Sequence, residues 1–317
     1  MTSVSTMFSP PGHTIGDCWF VVHDGTAHCF FCTSPKPDPS WHWDIGHAVS
    51  EDLRNWCYVG LALRRGRSGA WDSQTLSTGC VVKHLGRFWM AYSAIRRGEN
   101  PPTRKVHRVG IAVSDDLFRW RKCGPGPVNQ RDPRHYERLG PARAAFGQWR
   151  DPYLLVEGDR IYQYVCARSK ARDRSRRGTV GLAVSDDMLK WRVQPPLQVE
   201  PIATEIEVPQ VYRIGGRYYL VCCAPAAWLL PSFRRRFPGH RFRDADYAMV
   251  GASPTGPFSL HGTGEILPAR DSGRPYASRL VRWQGGWYLL GTVRDGRNRH
   301  VCDPIPVVAD EVGIHAV

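Results

Sequence analysis

One short pattern recurs three times in this chain almost unchanged, and it restricts the folds that the sequence can adopt. The copies are Gly46–Trp56 (GHAVSEDLRNW), Gly110–Trp120 (GIAVSDDLFRW) and Gly181–Trp191 (GLAVSDDMLKW), and Gly251–Phe258 (GASPTGPF) is a weaker fourth copy. Each copy predicts a short apolar strand, a turn in which Asp side chains accept backbone amides, and an aromatic residue that begins the next strand. A unit repeated along the chain indicates a repeat architecture.

A second repeat consists of a turn with Gly followed by an aromatic-rich alternating strand. Its five copies are His23–Ser34, His84–Ala94, Glu157–Ala167, Ile214–Ala224 and Trp283–Val293. Each predicts the second strand of a hairpin whose tight turn uses Gly at positive φ. Five units of about four short strands predict an all-β, five-bladed β-propeller, which we expect to form a single domain over residues 1–317. The tail from Val301 to Val317 is expected to close the ring, and a β-sandwich is the alternative fold.

The chain is strongly basic, with a formal net charge of +14. Two Arg-rich segments stand out, Arg168–Arg177 (RSKARDRSRR) and Arg234–Arg243 (RRRFPGHRFR). They suit either an acidic partner or a solvated surface. Because the sequence contains no nucleic-acid recognition motif, we do not expect a nucleic-acid partner.

The ten cysteines do not form a metal-ligand pattern. Cys29 and Cys32 have a suggestive spacing, but both fall in a predicted strand, where their side chains point to opposite faces. Reduced, buried cysteines are therefore expected, with neither a metal nor a cofactor. The N-terminal sequence has no secretory signal pattern and no segment is apolar enough to span a membrane. These features predict a cytoplasmic protein with no membrane partner.

Three carboxylates precede the turn glycines at similar distances. Asp17, Asp151 and Glu207 lie in the predicted first strands of blades one, three and four, and we expect them at equivalent positions around the central channel. Because several buried charges in one place are unfavourable for stability, such a cluster indicates function. Glycosidic bond cleavage needs a protonated carboxyl group to assist the leaving oxygen and an ionised one opposite the sugar.

At these residues the chain resembles the five-bladed furanosidase superfamily, which contains glycoside hydrolase families 32 and 68 and also families 43 and 62. Trp149-Arg150-Asp151-Pro152 is similar to the Arg-Asp-Pro motif of family 32, and Glu207-Val208-Pro209 to its Glu-Cys-Pro motif. The segments Trp43–Trp56 and Trp71–Val82 resemble its first-blade and second-blade segments. The resemblance covers nearly the whole chain, without the C-terminal β-sandwich of family 32.

The resemblance implies catalytic roles for the three acids. Asp17 matches the nucleophile, which attacks the anomeric carbon in a retaining reaction or activates water in an inverting one. Asp151 matches the residue that binds sugar hydroxyls and stabilises the transition state, and Glu207 matches the acid/base. Channel-facing or entrance positions make further residues candidates for substrate binding, although core packing is an alternative for Trp71 and His47. These candidates are Trp43, His47, Trp71, Asp72, Ser77, Arg150, Arg274 and Tyr276.

Together these features predict a β-fructofuranosidase-like hydrolase acting on a small oligosaccharide or glycoside. The chain departs from family 32 at Gly16-Asp17-Cys18 and at Cys32-Thr33, where that family carries amide side chains. Asp24–Thr26 and Ser253–Phe258 are more similar to family 43. An arabinofuranosidase or xylosidase of that family, or a glycosyl transferase on the same fold, is therefore the alternative. A non-catalytic sugar-binding propeller and a propeller that binds partners through its Arg-rich loops are further possibilities.

Overall fold

The computed structural model describes residues 8–36, 42–98, 106–137, 148–267, 274–295 and 298–317. Within them the chain forms five antiparallel sheets, which follow one another along the sequence. The one α-helix of this part is α1 (Pro231–Arg234), and 3-10 turns cover Arg174–Arg177 and Ala226–Trp228. None of its helices is long and apolar enough to cross a bilayer.

The strands divide into five blades. Blade one contains β1 (Cys18–His23), β2 (Thr26–Thr33), β3 (Asp44–Ser50) and β4 (Cys57–Leu63). Blade two contains β5 (Thr75–His84), β6 (Arg87–Ile95), β7 (Arg108–Ser114) and β8 (Arg121–Lys122). Blade three contains β9 (Trp149–Glu157), β10 (Arg160–Arg168), β11 (Gly178–Ser185) and β12 (Arg192–Gln194). Blade four contains β13 (Glu207–Ile214), β14 (Arg217–Ala224), β15 (Ala245–Gly251) and β16 (Phe258–Ser259). Blade five contains β17 (Pro275–Trp283), β18 (Gly286–Asp295), β19 (Asn298–Val301), β20 (Ile305–Ala309) and β21 (Ile314–Ala316).

The ring closes through the first strands of the blades. Strands β1, β5, β9, β13 and β17 contact one another in that order, and β17 contacts β1. The C-terminal tail completes blade five, because β20 and β21 are its outer strands and β19 pairs with β18. Phe8 also bridges to Val301, which joins the N-terminal segment to this blade. The predicted all-β, five-bladed propeller is thus confirmed.

The repeated glycines of the third strands leave room for an aromatic ring of the adjacent strand in the same blade. A Cβ atom on Gly46 would lie 2.5 Å from the ring of Phe31, and one on Gly110 would lie 2.6 Å from Tyr92. Because no side chain fits at such distances, aromatic rings of the neighbouring strand occupy the space above these glycines. Core packing therefore requires Gly as the first residue of the repeat.

The Ser-Asp turns of the repeat are capped as the sequence predicts. In blade two, Asp116 Oδ1 accepts hydrogen bonds from the amides of Phe118 and Arg119 at 2.8 and 2.7 Å. Leu117 adopts a left-handed conformation at φ 68°, and its carbonyl accepts the indole N–H of Trp120 at 2.8 Å. Asp52 and Asp187 accept amides in the same way in blades one and three. A local capping motif thus ends each of these third strands.

Candidate active site

Four of the five first strands contain an irregularity where they enter the channel. The pairing register shifts between Ser77 and Gly79 in β5, and similar shifts occur in β9, β13 and β17. Left-handed backbone conformations lie at the last three of these shifts, at Asp151, Val208 and Ala277. A bulge redirects side chains out of the normal alternation of a strand. We call this end of the propeller, where first strands begin and second strands end, the carboxylate end.

The predicted equivalence of the three acids is wrong by one residue. Counted back from the last residue of each strand (His23, Glu157 and Ile214), Asp17 and Asp151 occupy the same position, whereas Glu207 lies one residue further from the turn. The counterpart of Asp151 in blade four is left-handed Val208. The miscount arises because Gly takes different positions within the two-residue turns, namely Asp24-Gly25, Gly158-Asp159 and Gly215-Gly216.

Arg150 joins two of the predicted catalytic carboxylates. Its Nη2 donates to Glu207 Oε1 at 2.6 Å, and its Nε lies 3.3 Å from Asp151 Oδ2. The same Asp151 oxygen accepts the amide of Val208 at 3.3 Å. Because one guanidinium contacts both groups, Asp151 and Glu207 belong to one pocket. Arg150 was predicted to bind substrate, and the structure shows that it contacts these two acids.

A third acid, which sequence reasoning missed, contacts the same guanidinium. Glu205 Oε2 lies 3.3 Å from Arg150 Nη2, and both Glu205 oxygens accept the side-chain amide of Gln148 at 2.9 Å. Gln148 accepts a further hydrogen bond from Arg150. Glu205 is buried and precedes Glu207 by two positions, so the Glu-Ile-Glu sequence was the available signal. Arg150 therefore balances three neighbouring carboxylates.

Asp17 approaches the pocket from blade one. Its Oδ2 accepts a 2.5 Å hydrogen bond from Thr78 Oγ1, and its carbonyl accepts the amide of Cys32 at 3.0 Å. Thr78 lies in the first strand of blade two and was not among the predicted residues, although its neighbour Ser77 was. The carboxylate of Asp17 is partly exposed, so it is open to a ligand while one oxygen is fixed.

The buried carboxyl group of Asp151 has a strongly altered acidity. The pKa of Asp151 is raised to about 7; burial is the largest cause, the guanidinium of Arg150 opposes it, and the charges of Glu207 and Asp17 add to it. The geometry agrees with this effect, because Asp17 and Asp151 lie at the start of the first strands of blades one and three, and Arg150 joins Asp151 to Glu207. The structure thus brings Asp17, Asp151 and Glu207 together at the carboxylate end.

Arg279, another residue that the sequence analysis missed, joins first strands across the channel. It extends from blade five, and its side chain is buried. Arg279 Nη2 donates to the carbonyl of Gly79 at 3.1 Å, and Nε lies 3.4 Å from the carbonyl of Cys18. Because these carbonyls belong to blades two and one, Arg279 links three blades across the channel just below the carboxylates.

Three other predicted residues lie at or near the pocket, and a fourth, Arg274, directly precedes β17. Tyr276 donates from its hydroxyl to Glu207 Oε2 at 2.8 Å. Trp43 lies beside Gly16, where a Cβ would be 3.7 Å from its ring. Ser77 is partly exposed and pairs with Ser93 across the strands. Arg274 donates to the carbonyl of Leu267 at 2.7 Å and is half-buried.

Trp71, Asp72 and His47 are not brought to the carboxylates. Asp72 is buried in blade two and pairs with Lys122 of the outer strand at 2.5 Å. Trp71 stacks on Tyr92, with ring centroids 5.9 Å apart. Both residues therefore pack in the body of the blade, because Asp72 neutralises an outer-strand lysine and Trp71 fills space above Gly110. His47 is buried in β3 and stacks on Phe30 at 4.5 Å.

His47 forms a buried pair with His28, and this pair predicts a pH-dependent stability. Their Nε2 and Nδ1 atoms lie 3.0 Å apart. Burial lowers the pKa of His28 to about 4, with a further contribution from His23, and burial followed by the charge of His28 lowers the pKa of His47 to about 3. Both rings are therefore neutral in the folded protein at pH 6, whereas the unfolded chain binds protons below about pH 6.5.

We expect the free energy of unfolding to be fully retained above pH 6.5 and to fall as the pH decreases towards 4. The loss attributable to the pair is on the order of 3–5 kcal/mol, since each pK unit corresponds to about 1.4 kcal/mol. Urea unfolding of the protein and of a His28→Asn/His47→Gln variant at pH 7.5 and 4.5 measures this effect. The variant should show a smaller pH dependence, whereas His84→Gln, at the end of β5, should behave like the unchanged protein. An equal pH dependence in all three proteins would contradict the assignment.

Comparison with known proteins identifies the class to which this fold and site belong. The Glycosyl hydrolases family 32 N-terminal domain matches residues 8–286. This match spans most of the chain, and the chain therefore belongs to glycoside hydrolase family 32.

Several solved structures share the fold at low sequence identity. The Bombyx mori β-fructofuranosidase BmSUC1 is 19% identical with a TM-score of 0.74, and the match covers 98% of this chain and 64% of that one. Sucrose-6-phosphate hydrolase from Lactobacillus gasseri is 18% identical with a TM-score of 0.76, covering 99% and 64%. Inulosucrase from Halalkalicoccus jeotgali, bound to kestose, is 19% identical with a TM-score of 0.76, covering 98% and 89%. The chain thus spans less than two thirds of the length of the first two relatives.

Proposed function

We propose that this protein is a furanoside-cleaving glycoside hydrolase that acts on a small β-fructofuranoside-type substrate. The observation that carries the proposal is that one guanidinium, Arg150, holds Asp151 and Glu207 together at the end of the channel where Asp17 lies. Membership of family 32 supports the reaction class. The neighbouring inulosucrase is bound to kestose, a small oligosaccharide, which supports the size of the substrate.

In the proposed mechanism, Asp17 attacks the anomeric carbon while Glu207 protonates the leaving oxygen. The hydrogen bond from Thr78 fixes one oxygen of Asp17, so the other is available as the nucleophile. The hydroxyl of Tyr276 and the guanidinium of Arg150 orient the two oxygens of Glu207. Water then cleaves the glycosyl–enzyme ester, with Glu207 acting as the base.

Asp151 supplies contacts to the sugar hydroxyl groups, and its raised pKa gives it a second role. Because burial raises its pKa to about 7, Asp151 holds a proton part of the time near neutral pH. Hydrogen bonds from sugar hydroxyls stabilise an ionised carboxylate. We propose that substrate binding ionises Asp151 and that Glu207 supplies the proton to the leaving oxygen.

A substrate panel tests this function. The protein is incubated with sucrose, kestose, an aryl fructofuranoside and an aryl arabinofuranoside, and released sugars are separated by chromatography. We expect fructose release, and we expect Glu207→Gln to reduce it about 10²–10⁴-fold for substrates with poor leaving groups. Release of arabinose alone would support the family 43 type of activity instead. Transfer to added sugar acceptors in place of water would indicate a transferase, and no cleavage of any furanoside would contradict the proposal.

A further inference from the structure

Blade four contains another buried acid, Asp246, outside the group of carboxylates that Arg150 contacts. Asp246 is the second residue of β15 and pairs with Cys223, the seventh residue of the second strand β14. In the other four blades, the residues paired with the seventh residue of the second strand are all buried and apolar, namely Ile45, Val109, Val180 and Val301. Because an apolar residue satisfies the packing at this position in four blades, the acid of blade four has a role other than packing.

The carboxylate of Asp246 contacts a bulge in the first strand of blade five. Ser278 donates to it twice, from its Oγ to Oδ2 at 2.6 Å and from its backbone amide to Oδ1 at 3.1 Å. The pairing of β17 with β18 shifts register between Tyr276 and Arg279, and Ala277 in this bulge is left-handed at φ 56°. A carboxylate of one blade thus accepts two hydrogen bonds from the bulge of the next blade.

The other neighbours of Ser278 also restrict the bulge. The carbonyl of Ser278 accepts the side-chain amide of Gln210 at 2.8 Å, and a Cβ atom on Gly291 would lie 2.6 Å from Ser278 Oγ. Burial raises the pKa of Asp246 to about 6, and the hydrogen bonds from Ser278, followed by the charge of Arg279, oppose this change. A buried carboxylate is unfavourable for stability unless its partners compensate. Asp246, Gln210 and the space above Gly291 therefore fix the bulge together.

The bulge separates two side chains that reach the channel. Tyr276 precedes it and donates from its hydroxyl to Glu207 Oε2 at 2.8 Å. Arg279 follows it and donates to the carbonyl of Gly79 at 3.1 Å. Because a bulge redirects side chains out of the normal alternation of a strand, its geometry decides whether the hydroxyl of Tyr276 reaches Glu207. A group that fixes the bulge therefore affects the candidate acid/base.

We propose that Asp246 is a positioning residue, which fixes the bulge of β17 so that Tyr276 orients Glu207. The carboxylate of Asp246 is buried and bound to Ser278, so it acts through Tyr276 and not on the sugar. This inference rests on the proposed function, because it takes Glu207 as the proton donor. Proton donation matters most when the leaving group is poor. Loss of Asp246 should therefore slow the cleavage of sucrose more than the cleavage of an aryl fructofuranoside with a good leaving group.

The dependence of kcat/KM on the leaving group tests this role. Asp246→Val introduces the type of residue that the other blades have, and we expect it to lower kcat/KM about 10-fold on sucrose but less than about three-fold on the aryl fructofuranoside. Asp246→Asn should restore most of the loss, because its amide oxygen still accepts the backbone amide of Ser278. Ser278→Ala removes one of the two hydrogen bonds and should show the same dependence with a smaller loss.

A double substitution separates positioning from a general loss of stability. Once Tyr276→Phe is present, Asp246→Val should lower kcat/KM on sucrose by less than about two-fold, because residues that act as a unit have non-additive effects. Asp72→Asn is the matched control, since it removes a buried acid from the body of blade two. It should leave the ratio of the two kcat/KM values unchanged.

The outcomes separate this inference from the proposed function. Equal losses on both substrates, or losses that multiply in the double variant, would show that Asp246 only stabilises the fold, and the hydrolase would stand. If Asp246→Val does not fold, the same comparison with Ser278→Ala decides. If no furanoside is cleaved, the proposed function fails and amide hydrogen exchange decides about the bulge. Faster exchange at residues 275–279 in Asp246→Asn and Ser278→Ala than in Asp72→Asn would support its dependence on Asp246, and equal exchange would overturn it.

Discussion

Replacing Asp17 by Asn should reduce kcat at least about 10³-fold while leaving the fold intact. The amide keeps the shape of the carboxylate and can still accept the hydrogen bond from Thr78. The amide cannot form the glycosyl ester, so the substitution lowers the rate of the chemical step rather than the affinity for substrate. Initial rates on the best substrate of the panel, together with urea unfolding of the same preparation, measure both effects.

Thr78→Val is the matched control for this experiment. It removes the hydrogen bond to Asp17 but keeps the carboxylate, so we expect a smaller loss of about 10-fold. For Asp17→Ala, added azide should restore part of the turnover and yield a glycosyl azide, because a small anion can enter the space left by the carboxylate. Full activity of Asp17→Asn would remove Asp17 from the mechanism.

Replacing Arg150 by Met should lower the free energy of unfolding by about 3–5 kcal/mol at pH 8. The change removes the cation that contacts Asp151, Glu205 and Glu207, and so leaves Asp151 and Glu207 without a counter-charge, whereas Glu205 keeps Arg168 at 3.9 Å. Without that cation the pKa of Asp151, which burial already raises to about 7, rises further above that of the unfolded chain. The folded variant then binds more protons than the unfolded one, so its deficit should shrink as the pH falls from 8 to 5.

Two further variants serve as comparisons for the effect of Arg150→Met on stability. Adding Glu207→Gln to Arg150→Met removes one of the uncompensated charges and should recover part of the lost stability at pH 8. Arg213→Met removes an exposed arginine that lies 3.5 Å from Glu157, and it should cost no more than about 1 kcal/mol. A loss from Arg150→Met that equals the loss from Arg213→Met, or that does not change with pH, would show that the carboxylates do not depend on Arg150.

The architecture could be predicted because its determinants are local and repeated. The turn glycines, the Ser-Asp caps and the aromatic strands each specify a hairpin or a strand end within a few residues. A single copy of this unit cannot bury a hydrophobic core by itself. The five copies therefore stack against one another and form a ring. Asp17, Asp151 and Glu207 were found by the same argument, because the ring brings the starts of the first strands to one end.

The exact geometry of the site could not be predicted, because it depends on irregularities that break the repeat. The left-handed backbone at Asp151 and Val208, together with the bulges, decides which side chains face the pocket. Sequence spacing gives no sign of a bulge, since counting residues back from a turn says nothing of their backbone conformation.

The amino-acid sequence by itself therefore determined the propeller, its five blades and the end of the channel where the acids lie. The tertiary structure alone decided that Arg150 joins Glu205 to the predicted acids and that Thr78 donates a hydrogen bond to Asp17. It also decided that Arg279 links three blades and that His47 belongs to the core of its blade. The physical reason is that these contacts join different blades or depend on how one blade packs. Their partners are far apart along the chain, for example Thr78 with Asp17 and Arg279 with Gly79, so only the closed ring brings them within hydrogen-bonding distance.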